Sequence, residues 1–148
     1  MQVLFLWDAQ GQADADLAQR CAGGGSEDAP IQQRALQMAQ GAWDGREASD
    51  QLIERLAPQW PPRRQPGVDR AILRLAVWEF TSAGTPPKVI IDEAIELAKE
   101  YSTEQSPAFV NGVLDAVLRA FAPDAAGHTT EIKAENRTPD NTDGTDGI

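Results

Sequence analysis

Along residues 1–121 apolar positions recur at intervals of three and four, the spacing of one helix face, and no run alternates clearly enough to predict a strand. The stretch from Met1 to about Ala22 predicts one helix, with Leu4, Trp7 and Leu17 as apolar positions and the glycines of "CAGGGS" as its end. "PIQQRALQMAQGAW" predicts the next. Pro30 suits a first helical position, and Ile31, Ala35, Met38 and Ala42 form the inward stripe. "SDQLIERLA" gives a short helix with Ser49 as its N-cap and Leu52 and Leu56 facing inward.

"PQWPPRRQPG", Pro58 to Gly67, holds four prolines and is expected to be extended, which makes it the best internal boundary. "VDRAILRLAVWEF" follows and is apolar on nearly every side, the mark of a central, buried helix. Val68, Ile72 and Leu75 form one stripe; Leu73, Val77 and Phe80 form another; Arg70 and Arg74 lie on a narrow polar strip. Pro86-Pro87 opens "PPKVIIDEAIELAKEY", whose Ile91, Ala94, Ala98 and Tyr101 face one way. Ser106-Pro107 opens the last helix as N-cap and first residue, and Val110, Leu114, Val117 and Phe121 are its core stripe. Asn111-Gly112 interrupts that helix with a pair that favours turns, and Gly costs a helix interior about 1 kcal/mol against Ala. The expected reason is packing: Gly112 would let a neighbouring helix approach closely, with Asn111 projecting beside the contact toward a loop or ligand.

These elements divide the chain into an N-terminal half (1–57), a linker (58–67), a C-terminal half (68–121) and a tail (122–148). The tail is polar, acidic and rich in Gly, Thr and Asp, too poor in apolar residues to order itself. Its Asn136-Arg137-Thr138 glycosylation pattern reads as accidental. With 148 residues the chain is long enough for one core without staples. Cys21 is the only cysteine and His128 the only histidine, which excludes an internal disulfide, a cysteine zinc site and a histidine-based triad. No segment approaches a membrane span or a secretory leader, so a soluble, cytoplasmic protein is expected. The formal net charge of −10 opposes nucleic acid at long range, and any RNA-binding role has to overcome it.

Catalytic signatures are missing, and neither a metal nor a cofactor is implied. Asp92, Glu93 and Glu96 share one turn of an amphipathic helix and read as a solvated face. Arg63-Arg64 reads either as part of a solvated linker, the commoner case, or as a basic contact. Glu79 continues the first stripe of the central helix, as a structural acceptor for backbone N–H groups or as a partner contact. Phe109 lies off the main stripe of its helix, either filling a secondary core or offering a ring to an unpaired base. Ser106, at a helix N-terminus, suits a phosphate, and Lys88 at the start of the preceding helix would join the same patch.

The order and spacing of three motifs in Val68–Val117 carry a family resemblance: "R-x-A-I-L-R-L-A-x-x-E", then "P-x-K-V-x-I-x-E-A-I-E-L-A-K", then "S-x-x-F-V-N-G-V-L-D". This stretch resembles the C-terminal half of the NusB transcription-antitermination family, and "MQVLFLWD" resembles part of that family's first helix. The resemblance implies an all-α, NusB-like fold of two three-helix-type subdomains packed together, without enzymatic activity. It implies binding of boxA-type single-stranded RNA of ribosomal RNA transcripts, together with the ribosomal protein NusE and the RNA polymerase elongation complex. Homodimers also occur in the family. Carried over by motif, Lys88, Gln105, Ser106, Phe109 and Asn111 would lie near RNA, and Phe5, Asp69 and Glu79 near the NusE-facing surface.

Two departures qualify the expectation. The arginine-rich segment that usually precedes the family's first helix is missing from this chain, and Pro107 replaces the polar or basic residue common after the serine. With the net charge, these point to weak RNA binding alone and dependence on the partner for a basic surface. Two other readings remain: a diverged protein-interaction module on the same scaffold, and a detached RNA-recognition domain of a ribosomal RNA methyltransferase. The acidic tail leaves no room for a cofactor domain and argues against the latter.

Overall fold

The computed structural model describes residues 1–25, 27–82 and 84–121; the tail from 122, with His128 and the 136–138 pattern, lies outside them. The described residues form seven α-helices and no strand: α1 (Gln2–Gln10), α2 (Ala15–Gly25), α3 (Ala29–Asp44), α4 (Arg46–Leu56), α5 (Gly67–Ser82), α6 (Pro87–Tyr101) and α7 (Ser106–Phe121). No helix among them is long and apolar enough to cross a membrane.

The single helix expected from Met1 to Ala22 is two helices. Gly11 takes the left-handed conformation (φ 80°) and its N–H closes α1 on the carbonyls of Trp7 and Asp8. Asp14 then starts α2 by accepting from the Leu17 N–H at 3.0 Å, while the Trp7 indole N–H donates to the Asp14 carbonyl at 2.9 Å. In α3 the cap is Asp28, which accepts from the Ile31 N–H, so Pro30 sits one place further in than expected. The inward face of α3 is Leu36, Ala39, Ala42 and Trp43, whereas Ile31 and Ala35 are exposed. Gly45 turns the chain directly from α3 into α4, which therefore begins at Arg46 and leaves Ser49 buried inside the helix rather than capping it. The proline segment is not extended throughout: it turns at Pro58–Gln59, where the Trp60 N–H closes on the Ala57 carbonyl, and again in a 3₁₀ turn at Pro62–Arg64.

α5 is the centre of the molecule. On one side its Ala71 joins Leu4, Trp7, Ala18, Ala39, Ala42 and Trp43, with Trp7 and Trp43 edge to face at 5.7 Å. On the other side Ile72, Leu73, Ala76 and Val77 pack with Leu52 and Ile53 of α4, Ile90, Ala94 and Ala98 of α6, and Val110, Val113, Leu114 and Val117 of α7. The α6 stripe thus runs through Ile90 rather than Ile91, and Tyr101 and Phe121, both expected inside, are exposed at their helix ends.

The polar strip of α5 is closed by ion pairs across the fold. Asp8 of α1 takes Arg70 at 2.5 Å and Arg74 at 3.0 Å, and Arg74 also takes Asp50 of α4 at 2.6 Å. Burial pushes the Asp8 carboxyl up, but the hydrogen bonds and charges of the two guanidiniums outweigh it and leave the group below its ordinary value.

The expectation for Gly112 is overturned. A Cβ added there would meet nothing within 4 Å, so no helix approaches it. The glycine that allows a close approach is Gly41, where a Cβ would stand 2.2 Å from the Trp78 Nε1. Gly67 is the other tight position, with the Phe5 ring 3.0 Å from the place of its Cβ.

Candidate nucleic-acid interface

The proline segment folds back over the start of α7, and a chain of polar contacts holds it there. Arg70, pinned by Asp8, donates through Nη1 to the carbonyls of Pro62 at 2.7 Å and Gln65 at 3.1 Å. The buried Gln65 side chain in turn donates to the Trp60 carbonyl at 3.2 Å, and the Trp60 N–H closes on the Ala57 carbonyl at 3.0 Å. The fixed Trp60 indole meets Phe109 edge to face, centroids 6.3 Å apart at 70°. Trp60 stays 44% exposed, whereas Phe109 is half-buried against the core.

The aromatic pair separates two hollows. One, of about 350 Å³, runs along α7 over Ala108, Gly112, Val113 and Ala116, with Leu56, Ala57 and Gln59 opposite. The other, of about 330 Å³, lies between Pro66 and the 103–106 turn and is bordered by Gln105, Ser106 and Asp69.

That turn is held from beneath. Asp69 is 2% exposed and accepts from the hydroxyls of Ser102 at 2.5 Å and Ser106 at 2.9 Å. The Ser106 hydroxyl also accepts from the Thr103 N–H at 3.2 Å. A carboxylate satisfied this way locks the α6–α7 connection and with it the position of Gln105.

Of the residues singled out in the sequence, Gln105, Ser106 and Phe109 come together around the second hollow. Ser106 is inside it in a particular way: its hydroxyl is buried and occupied by Asp69. Asn111 is exposed on α7, one residue before Gly112. Lys88 stands apart. It opens α6, thirteen residues before that helix ends at Tyr101, roughly 20 Å along the axis from the 103–106 turn, and its ammonium pairs with Asp92 at 3.3 Å on an exposed face.

Phe5 and Asp69 do not share one surface either. Phe5 is partly exposed over Gly67 and lines a hollow with Leu6, Val68 and Tyr101, whereas Asp69 points inward. Glu79 is buried but receives no N–H among the described residues, so the structural-acceptor reading is not met. Burial pushes its carboxyl up, the Glu93 charge adds to this, and Arg34 opposes it.

Sequence reasoning passed over Trp60, Gln65 and Arg70. Trp60 carried a signal, a large aromatic inside a proline-rich polar stretch. Gln65 and Arg70 carried none, because their roles depend on carbonyls positioned by the fold.

The NusB family model matches residues 1–119. Among curated proteins, the transcription antitermination protein NusB of Solibacter usitatus is 45% identical over 121 residues, which span 80% of this chain and 83% of that one. The NusB protein of Roseiflexus sp. is 48% identical over 84 residues, 55% of this chain and 59% of its own length. Among solved structures, T. maritima NusB superposes with a TM-score of 0.70 at 36% identity over 80% of this chain and 84% of that chain. A chain in the crystal structure of a plectonemic RNA supercoil superposes at 0.73 with 28% identity, over 80% of this chain and 88% of that one. With its all-helical architecture and the three ordered motifs of α5, α6 and α7, this chain belongs to the NusB family.

Proposed function

We propose that this protein is a non-enzymatic adaptor in transcription antitermination. It takes boxA-type single-stranded RNA of ribosomal RNA transcripts and works with the ribosomal protein NusE at the RNA polymerase elongation complex. The family supports the antitermination role. The observation that carries the RNA reading is the exposed Trp60 indole set edge to face on the half-buried Phe109, with a hollow on each side, beside the polar turn at Gln105. Rings held in place with open faces suit unpaired bases, which stack without needing a duplex groove. The similarity to a chain solved in an RNA supercoil points the same way. The strand lies along the start of α7, with Gln105, Ser106, Phe109 and Asn111 closest and Lys88 at the far end of α6.

The formal charge of −10 sets how tightly this surface works alone. Few cations flank the aromatic pair, so the electrostatic part of the affinity is small, and NusE supplies the rest. Titration of labelled boxA RNA with the protein, with and without NusE, tests this at physiological salt. Weak binding alone and clear tightening with NusE are expected; tight binding by the protein alone would overturn the dependence on the partner, and no RNA binding even with NusE would overturn the RNA role.

A further inference from the structure

We infer that Trp60 is itself a base-stacking residue, with an unpaired base seated on its indole in the hollow floored by Gly112 and the strand's phosphates met by the arginines that follow it. The inference rests on the RNA-binding reading above and adds a residue and a place to it.

Four observations converge on this hollow. First, Trp60 is exposed to 44%, while Trp7 and Trp43 are buried in the core at 2% and 7%. An indole left in solvent is ordinarily mobile, yet here the Trp60 backbone is fixed at its carbonyl by Gln65 and at its amide N–H by Ala57, and the ring itself rests edge to face on Phe109. A ring already held in place loses little freedom when a base stacks on it.

Second, the floor of the hollow is Gly112, whose missing side chain serves no packing purpose: nothing lies within 4 Å of where its Cβ would be. Gly is the least favourable residue after Pro in a helix interior. Here its consequence is to keep the wall flat between Phe109 and Ala116, leaving the hollow open beside the indole.

Third, the hollow's dimensions and walls suit a flat ring. Its volume of about 350 Å³ falls within the range of small-ligand sites, roughly 300–1,000 Å³. Apart from Gln59, its walls are apolar or small, and no carboxylate lines it.

Fourth, the charge beside it is the right one. Arg63 and Arg64 follow Trp60 in the 3₁₀ turn and are exposed. Arg63 has only a loose contact with Glu54 at 3.6 Å, and Arg64 has no ion pair among the described residues. A peptide partner would find no acidic complement in the hollow and no hydrogen-bonding edge along α7, whereas a nucleotide brings a ring for the indole and a phosphate for the arginines.

The test uses the full chain with its protein partner and a single-stranded boxA-type RNA. Trp60→Ala is expected to weaken RNA binding by about 5- to 150-fold, the effect of removing one stacked base. Trp60→Phe keeps a ring and is expected to bind within a few-fold of wild type, while abolishing the quenching of tryptophan emission that RNA causes. Gly112→Leu puts a side chain into the hollow from a position where a Cβ meets nothing within 4 Å, and is expected to weaken RNA binding while the urea midpoint does not fall, so it decides the matter even if Trp60→Ala folds poorly. Wild-type affinity in a folded Trp60→Ala variant, or quenching that survives in Trp60→Phe, would overturn the inference and leave RNA binding intact. Loss of affinity for the protein partner, with RNA affinity unchanged, would give the ring to that partner and overturn it too. Failure of the wild-type protein to bind RNA at all would remove the reading on which it rests.

Discussion

A Cβ placed on Gly41 would stand 2.2 Å from the indole nitrogen of Trp78, while one placed on Gly112 would touch nothing within 4 Å. The two glycines lie in helix interiors, so the same substitution has opposite expected signs. Gly41→Ala should destabilise the protein by about 1–3 kcal/mol, since the wide, rigid indole has to shift. Gly112→Ala should stabilise it by about 1 kcal/mol, the ordinary helix preference with no clash against it. Urea midpoints of the two variants check both signs. The outward position of Gly112 was legible in the periodicity. Two residues after Val110 and two before Leu114, it lies roughly 200° around the helix from each, opposite the core. The partner of Gly41 was not legible, because no spacing within α3 indicates which ring of α5 crosses it.

Among the helices, α5 is the one the others are built around, and its near-continuous apolar surface announced that. What the pattern could not convey is where the polar strip goes. Arg70 and Arg74 meet Asp8 from more than sixty residues away in sequence, and such pairings follow from the packing of α1 and α4 on α5, not from local rules. Asp8 is a single carboxylate facing two guanidiniums, with its side chain 20% exposed. Asp8→Asn should therefore destabilise by about 3 kcal/mol, the lower end of the cost of breaking a buried pair. The pH dependence follows from the depressed carboxyl. Its contribution is present above the ordinary aspartate range and is lost as pH falls through the folded-state value. Urea denaturation from pH 7 down to pH 3 should show a steeper loss of stability in the wild type than in Asp8→Asn. The helix ends were less readable than the helices. Tyr101 and Phe121 fit their stripes by spacing, yet each lies at the last position of its helix, beyond the neighbours that would cover it.

The whole molecule is acidic, and its candidate RNA face has little positive charge to oppose that. If Arg63 and Arg64 are the phosphate contacts, the slope of log affinity against log salt for single-stranded RNA should be only about −1.4. Repeating the RNA titration with the protein alone over a range of salt, for wild type and for Arg64→Gln, checks this. The variant's slope should be shallower by about 0.7. A wild-type slope several times steeper would place the strand on other cations. Gln105, Phe109 and Asn111 could be named as candidates from the sequence, because they lie in a stretch with a strong family pattern. The proline segment opposite them was readable only as a boundary, since its shape is dictated by hydrogen bonds to Arg70 and Gln65 that have no local signature.

One guanidinium joins the first helix to that outer segment: Asp8 grips Arg70, and Arg70 grips the carbonyls under the prolines. Fraying of residues 2–10 and loosening of the segment are thus one event rather than two, and free energy supplied at either place is felt at the other. An oligonucleotide that seizes the prolines from outside should slow amide hydrogen exchange in a helix it never touches.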